Sequence, residues 1–327
     1  MAKRVLVTGG GGYVGSHTVL ALLDSGVEPV VFDNFEAGYR DAVGGARVVE
    51  GDLRNPADIE RAFQAGPFDA ILHFAALANV PDSFDDPARC YAVNIAGGLN
   101  LLEAARRHGV RFFVFSSSAA VYGPPEKTPI PEDHPLRPLS PYGFTKMAFE
   151  RILADYDAAF GIRSIALRYF NAAGADPECR AGERHDPETH LIPIVLEHLL
   201  GRRPQISIFG TDYPTPDGTC VRDYIHVSDL AEAHVLAVRA LEEGAASAAL
   251  NLGLGFGHSV RQVVETAEAV TGRKAEVVEA PRREGDPPIL VADPTRAKET
   301  LGWTPRHTDL ADIIATAWRW LTRSGQS

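Results

Sequence analysis

The first half of the chain alternates short apolar runs with longer stretches of helical periodicity. The apolar runs cover residues 4–8, 29–32, 47–49, 69–74, 111–115 and 164–167. Between them, amphipathic patterns over residues 16–23 and 88–108 predict helices. Strands that alternate with helices form a parallel sheet with both faces covered. The sequence therefore predicts an α/β fold with a doubly wound parallel sheet.

The composition changes after residue 174. Residues 175–188 and 210–219 are polar and rich in Gly and Pro, which predicts loops. Helical patterns cover residues 190–200, 227–241, 260–270 and 310–321. We expect residues 1–173 to form one domain, with residues 222–255 returning to it, and residues 174–327 to form most of a smaller, mostly helical C-terminal domain.

Charge and composition exclude several functional classes. The 327 residues carry a formal net charge of −11, which argues against general affinity for nucleic acid or anionic membranes. No run of eighteen apolar residues and no signal-peptide pattern is present in the sequence. Cys90, Cys179 and Cys220 are widely spaced and form no CxxC motif. We expect a cytoplasmic protein without disulfides or a metal site.

A glycine-rich turn follows the first apolar run. Gly9, Gly12 and Gly15 have a spacing that permits a tight turn, close approach to a pyrophosphate and close packing of helix on strand. The helix that follows would direct backbone N–H groups at the anion. Asp33 ends the next apolar run, where a carboxylate can accept both ribose hydroxyls and repels a 2′-phosphate. The pattern predicts a dinucleotide site that favours NAD over NADP.

Other predicted strand ends carry side chains suited to the same crevice, because ligands bind at the carboxyl edge of such sheets. They are Asp52 and Leu53, then Phe74, Ala75 and Ala76, and then Ser116, Ser117 and Ser118. We expect the first pair to border an adenine, the small residues to line the path of a cofactor, and the serine hydroxyls to lie where the chemistry occurs.

The segment SPYGFTK contains a candidate general base. Ser140 suits an N-cap and Pro141 the first helical position, while Gly161 suits the end of the same helix. Tyr142 and Lys146 would then share one helix face. Because a nearby ammonium favours the phenolate, we expect the pKa of Tyr142 to be lowered so that its oxygen can accept a proton at neutral pH.

Seven stretches in order carry a resemblance that covers nearly the whole chain. They are TGGGGYVG at 8–15, HFAAL at 73–77, SSSAAVYG at 116–123, SPYGFTK at 140–146, RYFNAAGA at 168–175, the run at 209–234 that contains VRDYIHV, and PRREGDP at 281–287. Together they resemble the extended short-chain dehydrogenase/reductases, which act on nucleotide sugars, and within them the UDP-glucose 4-epimerases. The resemblance implies a Rossmann-like NAD-binding domain.

The resemblance also implies a reaction. UDP-glucose and UDP-galactose would be interconverted by transient oxidation at sugar carbon 4 to a 4-keto intermediate, with tightly bound NAD. Tyr142 would be the base, Ser118 its hydrogen-bonding partner at the sugar hydroxyl, and Lys146 a ligand of the nicotinamide ribose that lowers the tyrosine pKa. The implied partner is a UDP-sugar.

The same resemblance implies two sets of binding residues. Besides Tyr142 and Lys146, the NAD-lining positions are Gly9, Gly12, Tyr13, Val14, Gly15, Asp33, Asn34, Asp52, Leu53, Phe74, Ala75, Ala76, Asn94, Ser116 and Tyr169. Besides Ser118 and Tyr142, the substrate positions are Asn171, His190, Leu191, Arg222, Arg283, Asp286 and Leu290. The arginines also suit this role physically, because a guanidinium fork matches a diphosphate.

Three positions depart from the family pattern. Ala78 stands where members often carry a lysine that reaches the cofactor phosphates. His190 stands where an asparagine can bind UDP. Leu290 replaces a bulkier tyrosine beside the sugar, so we expect that UDP-GlcNAc and UDP-GalNAc also react.

Other functions remain open from the sequence. A nucleotide-sugar 4,6-dehydratase or a UDP-glucuronate decarboxylase would share the fold, NAD and the Tyr/Lys pair. A dehydratase needs an additional acid to eliminate water, and in that family the acid follows the catalytic Ser or Thr. Here Ala119 and Ala120 follow Ser118 and cannot donate a proton, so elimination is disfavoured. A non-catalytic NAD-binding regulator is a further alternative. The resemblance also implies a homodimer formed through the helix at 88–108 and the helix that carries Tyr142.

Overall fold

The computed structural model describes residues 3–283 and 285–323. The strands, in chain order, are β1 (Arg4–Thr8), β2 (Glu28–Asp33), β3 (Arg47–Glu50), β4 (Ala70–His73), β5 (Phe112–Ser118), β6 (Arg163–Tyr169), β7 (Asn171–Ala173), β8 (Ile206–Phe209), β9 (Val221–Arg222), β10 (Tyr224–His226), β11 (Ala248–Leu252), β12 (His258–Ser259), β13 (Val277–Ala280) and β14 (Ile289–Leu290). The helices are α1 (Tyr13–Asp24), α2 (Pro56–Phe63), α3 (Val80–Asp85), α4 (Pro87–Tyr91), α5 (Gly98–Arg107), α6 (Pro141–Phe160), α7 (Leu191–Leu199), α8 (Val227–Glu242), α9 (Val260–Thr271), α10 (Thr295–Leu301) and α11 (Leu310–Arg323).

Seven parallel strands form the central sheet in the order β11-β6-β5-β4-β1-β2-β3. The predicted doubly wound α/β fold is therefore confirmed. The chain changes direction across the sheet between β1 and β4, where Thr8 pairs with His73. Such a switch point opens a crevice at the carboxyl ends of its two strands. The ligand-binding edge is therefore fixed by topology.

Both faces of the sheet are buried, and each has its own apolar core. On one face, Val5 and Val7 belong to the same core as Leu230 from α8. On the other, Leu6 belongs to a core that includes Phe113 and Phe149. Successive residues of a strand point to opposite faces. The strands therefore consist of continuous apolar runs, as in other sheets that are covered on both sides.

The C-terminal part is smaller and mostly helical, as predicted. Its core joins α7, α9 and α11 through side chains such as Val195, Val263 and Ile313. Short strands cover this core, including the parallel pair β8 and β13. Within the described residues, no helix has both the length and the apolar character needed to cross a membrane.

Several predicted boundaries were wrong. Helix α1 begins at Tyr13 rather than at residue 16, and β5 continues to Ser118, so its serines lie within the strand. The predicted helix at 88–108 is divided into α4, a π-helical segment Ala92–Gly97, and α5. Strand β11 was not predicted, because its two outer residues are only half-buried and its pairing with β6 is long-range.

A buried ion pair connects α6 to the sheet. Arg168 on β6 donates to both carboxylate oxygens of Glu150 on α6, at 2.9 and 2.6 Å, and the two side chains are 6% and 9% exposed. The Ser117 hydroxyl donates to the same carboxylate at 2.5 Å. Arg168 also donates to the Tyr122 hydroxyl at 2.9 Å. These four buried side chains therefore satisfy one another's hydrogen-bonding groups next to the end of β5.

We expect Glu150→Gln to lower the free energy of unfolding by about 3 kcal/mol, because it leaves the Arg168 charge buried without a counter-charge. Urea titration followed by circular dichroism measures this change. Arg151→Gln is the matched control on the same helix, since Arg151 forms only an exposed pair with Asp155. If the two variants unfolded at the same urea concentration, the buried ion pair would contribute no more stability than the exposed one.

Candidate active site

Helix α6 forms as its sequence predicts. The Ser140 side chain accepts a hydrogen bond from the Gly143 N–H, and Pro141 occupies the first turn. Gly161 ends the helix in the left-handed conformation, with φ of 68°. These local signals fix the helical register, so Tyr142 and Lys146 lie on one face. Both side chains are buried against the carboxyl edge of the sheet.

The three predicted catalytic side chains meet where α6 crosses the end of β5. The Lys146 ammonium donates to the Ser116 carbonyl oxygen at 2.7 Å and lies 5.6 Å from the centre of the Tyr142 ring. The Ser118 hydroxyl accepts a hydrogen bond from the Ala120 N–H at 3.1 Å, and it lies close enough to the Tyr142 phenol to lower the pKa of that group. The Tyr169 hydroxyl lies 2.7 Å from the Ser116 hydroxyl. A phenol, an amine and three hydroxyl-bearing neighbours therefore share one buried site.

The prediction that Lys146 lowers the pKa of Tyr142 is wrong for the chain's own groups. Burial raises the pKa of Tyr142 above its ordinary value. Burial also lowers the pKa of Lys146 to about 7. Removal from water penalises both the phenolate and the ammonium, and this cost exceeds their mutual attraction. An additional positive charge beside the ring is therefore needed to produce the phenolate at neutral pH.

The glycine-rich turn has the shape that a pyrophosphate requires. Gly9 has a φ of +72°, and a Cβ there would lie 2.4 Å from the Ala75 nitrogen. A Cβ at Gly15 would lie 2.2 Å from the Gly9 oxygen. At Gly12 the nearest atom would be 3.4 Å away, so this glycine leaves space on the crevice side. Tyr13 and Val14 follow in the first turn of α1, whose N–H groups face that space.

The carboxylate of Asp33 lies at the end of β2, next to the glycine turn. It accepts hydrogen bonds from the backbone N–H groups of Gly11 and Phe35, both at 2.8 Å. Burial raises its pKa. The Asn34 amide donates to Asp52 at 3.2 Å, so both predicted adenosine-side positions border the same edge.

Asp52 is also bound by protein groups. The Arg54 side chain hydrogen-bonds to Asp52 and lowers the pKa of this carboxyl to about 2. Leu53, which follows it, is buried in the core between β2 and α2. The Asn100 amide donates to the Leu53 carbonyl oxygen at 3.0 Å, which fixes this strand end.

The residues after β4 lie on the other side of the crevice. The Phe74 ring centre is 4.6 Å from that of His234, and Ala75 is half-buried beside Gly9. The buried Asn94 amide accepts from the Leu77 N–H at 2.7 Å and donates to Thr145 on α6 at 3.0 Å. In the described structure Asn94 therefore connects this loop, which includes Ala76, to the catalytic helix.

A second cleft, of about 450 Å³, lies in the C-terminal part. Six of the predicted substrate residues line it: Asn171, His190, Leu191, Arg222, Arg283 and Asp286. Leu290 does not line this cleft. It pairs with Arg222 in the parallel register of β14 and β9, and it packs against the cluster of Val121, Tyr122 and Ile130, just beyond the serine end of β5. Leu290 therefore lies between the polar cleft and the end of β5.

Two of the arginines that line this cleft, Arg222 and Arg283, have different partners. Arg222, with 12% of its side chain exposed, forms an ion pair with Asp286. Its neighbour Asp223 instead accepts backbone N–H groups from Leu254 and Ala292, at 2.8 and 3.1 Å. Burial raises the pKa of Asp223 to about 6. Arg283 lies over the Phe209 ring, 4.0 Å from its centre, so its cationic head borders the cleft.

His190 belongs to a cluster rather than standing alone in the cleft. Its Nδ1 atom lies 2.8 Å from Glu183 Oε1 and 3.2 Å from Glu188 Oε1. Although burial lowers the pKa of His190, hydrogen bonds to these carboxylates raise it to about 10. His190 therefore differs in charge from the neutral asparagine that can occupy this position.

Sequence analysis missed several residues of both sites. Arg203 and Tyr224 also line the polar cleft. Tyr224 follows Arg222 at the alternate position that faces the same side of an extended segment, which is a usable signal. His234 was not singled out either, yet it lies beside Phe74 and Tyr169. Only the packing of α8 on the sheet brings it there.

The fold and these sites define the class of protein. A glycine turn at the switch point of a parallel sheet, together with a Ser/Tyr/Lys group at the same edge, is typical of dinucleotide-dependent enzymes of the Rossmann type. The chain belongs to the NAD dependent epimerase/dehydratase family, whose model matches residues 5–253. The resemblance inferred from its motifs is thereby confirmed.

Individual relatives are similar over almost their full length. A UDP-glucose 4-epimerase of Rhizobium leguminosarum bv. trifolii is 50% identical, with 99% of each chain covered. The crystal structure of UDP-glucose 4-epimerase from Brucella ovis in complex with NAD is 47% identical, has a TM-score of 0.95, and the match covers 97% of this chain and 98% of that one. A structure of UDP-glucose-4-epimerase from Stenotrophomonas maltophila with bound NAD and formylated UDP-arabinopyranose is 39% identical, with a TM-score of 0.96 and 99% coverage of both chains.

Buried His234 makes acid stability a test of the site's packing. Burial lowers the pKa of His234 to about 4, so its contribution to stability is present above the unfolded pKa of about 6.5 and is lost as pH falls toward 4. We expect the unfolding free energy of the wild type to fall by about 2 kcal/mol more than that of His234→Phe between about pH 7 and pH 5.

Urea titrations at the two pH values measure the difference. His108→Asn serves as the control, because His108 lies at the surface in a pair with Glu60. The fall in unfolding free energy between the two pH values is compared among the wild type, His234→Phe and this surface variant. A wild-type acid dependence in His234→Phe would contradict the neutral, buried state of His234.

Proposed function

We propose that this protein catalyses the reversible epimerisation of UDP-glucose and UDP-galactose at carbon 4, with NAD as its cofactor. The observation that carries the proposal is the meeting of Ser118, Tyr142 and Lys146 at the switch-point edge. A glycine turn suited to a pyrophosphate lies at the same edge. The similar proteins named above support the substrate and the cofactor.

In the proposed reaction, the Tyr142 phenolate accepts the proton of the sugar 4-hydroxyl, and Ser118 hydrogen-bonds to the same oxygen. When bound, NAD accepts the hydride from carbon 4, returns it to the opposite face, and contributes a positive nicotinamide. Lys146 holds the ribose side and adds to the positive potential. The positive charges of NAD and Lys146 favour the phenolate form of Tyr142. Burial has the opposite effect, because it raises the pKa of Tyr142.

The substrate anchors are proposed to act on UDP rather than on the sugar. Arg222 and Arg283 border the polar cleft, and guanidinium groups bind diphosphate oxygens in pairs. Asn171, Leu191 and Asp286 complete the nucleotide side. Because inversion requires the 4-keto sugar to present its other face, the sugar must rotate while the nucleotide remains fixed. Concentrating the strong contacts on UDP permits that rotation.

The NAD contacts are proposed at the positions that border the crevice. The glycine turn with Tyr13 and Val14 would hold the pyrophosphate, and Asp33 with Asn34 would hold the adenosine ribose. The remaining predicted NAD positions are Asp52, Leu53, Phe74, Ala75, Ala76, Asn94, Ser116 and Tyr169. We retain the proposed division into residues 1–173 with 222–255 for the cofactor and residues 174–327 mainly for the substrate.

A direct test is incubation of purified protein with UDP-galactose and no added NAD. We expect UDP-glucose to form, because a closed redox cycle needs no cofactor from solution. Chromatography of the nucleotide sugars measures the products. Net release of NADH would instead indicate a dehydrogenase, a dehydrated product a 4,6-dehydratase, and the absence of any reaction a regulator.

Tyr142→Phe should lower kcat for this conversion by about 10²- to 10⁴-fold, because the general base is removed. Tyr156→Phe on the same helix is the control, since its hydroxyl donates to Glu103 at 2.7 Å, away from the site. Both variants should retain bound NAD, measured by absorbance after acid release. Normal turnover by Tyr142→Phe would refute the assigned base.

We further propose that UDP-GlcNAc and UDP-GalNAc are substrates, because Leu290 occupies less volume than tyrosine beside the Ser118 end of β5. Leu290→Tyr should abolish UDP-GlcNAc turnover and preserve UDP-galactose turnover. Ile289→Val, on the other face of the same short strand, is the control. If the wild type turns over UDP-galactose quickly and UDP-GlcNAc not at all, this specificity is excluded.

A cytoplasmic homodimer is the proposed assembly. Phe144 on α6 and Tyr91 on α4 are 44% and 39% exposed and contact each other edge to face, with ring centres 6.1 Å apart. Phe84 on α3 is also exposed. Phe144 and Tyr91 place apolar surface on the two predicted interface helices.

Light scattering coupled to gel filtration tests the assembly. The wild type should give twice the chain mass, and Phe144→Glu should give the monomer mass. A wild-type monomer would refute the dimer.

A further inference from the structure

Four potential metal ligands come together in the segment between β7 and α7. They are Glu183, His185, Glu188 and His190, whose ligand atoms all lie within 4.8 Å of one another. The two carboxylates are 8% and 4% exposed, whereas the rings of His185 and His190 are 33% and 57% exposed. The acidic groups therefore form the buried floor of the cluster, and the imidazoles form its outer wall.

Two of these atoms are enclosed, and their nearest partners are other members of the cluster: Glu183 Oε1 lies 2.8 Å from His190 Nδ1, and His185 Nδ1 lies 3.5 Å from Glu188 Oε2. Glu183 Oε1 and His185 Nδ1 lie 3.2 Å apart, yet neither makes a hydrogen bond of acceptable geometry. An enclosed lone pair without a donor costs free energy, so such groups need an explanation. Both atoms point into the space that Glu188 and His190 also face. A cation at that point would satisfy both of them.

The distances between the ligand atoms suit a small tetrahedral ion. Zinc binds imidazole nitrogen and carboxylate oxygen at about 2.0–2.2 Å, which separates neighbouring ligand atoms by about 3.3–3.5 Å. In the structure, Glu183 Oε1 is 2.8 Å from His190 Nδ1, and Glu188 Oε2 is 3.5 Å from His185 Nδ1. The four ligand atoms all lie within 4.8 Å of one another, so movements of about an ångström would bring them to tetrahedral spacing.

Neighbouring groups already orient the two carboxylate-bearing residues. The Glu188 Oε1 atom accepts the backbone N–H groups of Thr189 and His190, both at 2.8 Å, which turns Oε2 toward His185. Trp320 on α11 donates to the Glu183 carbonyl oxygen at 3.3 Å. Such outer contacts are characteristic of metal sites, because they hold the ligands in place before the ion binds.

We propose that Glu183, His185, Glu188 and His190 form a binding site for a divalent transition metal, with Zn²⁺ as the ion that suits them best. Imidazole with carboxylate ligands favours zinc over Mg²⁺ and Ca²⁺, which require six or more oxygen ligands. Binding would displace the protons of His185 and His190, since only a neutral imidazole can be a ligand, and one divalent ion would then balance the two buried carboxylates. The site differs from the cysteine motifs that sequence analysis excluded, since no thiol takes part.

The position of the site gives the metal a structural consequence. The Tyr13 ring at the start of α1 contacts the His185 ring edge to face, with centres 6.3 Å apart. His190 caps α7 and lines the polar cleft. A bound ion would therefore fix residues 183–190 between the glycine turn and the cleft, and it would hold the His190 ring in one orientation.

Isothermal titration of EDTA-treated, tag-free protein with Zn²⁺ tests the proposal. We expect binding of about one ion per chain and a thermal midpoint that rises with zinc concentration. His185→Asn and Glu183→Gln should each weaken zinc binding by at least about 10- to 100-fold. His185 is partly exposed, so His185→Asn is the variant expected to fold normally, which its unfolding midpoint in EDTA verifies.

Two control variants address other zinc ligands. Cys179→Ser removes the thiol in the same loop, and His108→Asn removes a surface His/Glu pair. Both should bind zinc as the wild type does. Anomalous diffraction from zinc-soaked crystals should place the ion among the four ligands. The absence of binding, binding that His185→Asn leaves unchanged, or an ion located elsewhere would show that the cluster is a network of ion pairs only.

Discussion

The hydrogen bond from the Lys146 ammonium to the Ser116 carbonyl oxygen is the contact on which the catalytic arrangement depends. It joins α6 to the end of β5 at 2.7 Å, so a helix defined by local signals is fixed to an edge defined by topology. Glu150, one turn further along α6, adds the buried ion pair with Arg168. These two attachments keep the Tyr142 ring beside Ser118, since neither α6 nor β5 can shift without burying an unpaired charge.

Burial sets the electrostatic problem of this site. Because it raises the pKa of Tyr142 and lowers the pKa of Lys146 to about 7, it disfavours both the phenolate and the ammonium. A cationic cofactor beside the phenol reverses that balance, because attraction between opposite charges is stronger where water is excluded. The base proposed for this site, Tyr142, therefore depends on the positive charge of the cofactor.

In the polar cleft, the deciding factor is local positive charge. An anionic chain with a net charge of −11 binds an anion only where it concentrates positive charge locally. Arg222 does so at the price of a carboxylate partner, Asp286, which orients the guanidinium and remains in the cleft. Asp223, adjacent in sequence, turns away to cap backbone N–H groups. Tertiary contacts therefore decide that Asp286 stays beside the Arg222 guanidinium and that Asp223 does not.

The sequence by itself determined the local elements: the caps of α6, the glycine turn with its positive φ at Gly9, and the strands whose continuous apolar runs indicate a sheet buried on both faces. Each depends on residues close together in the chain. The tertiary structure alone decided the pKa directions of Tyr142 and Lys146, the partner of Arg222, and the enclosure of His190 by two carboxylates. These properties depend on burial and on partners distant in sequence, which no local pattern encodes.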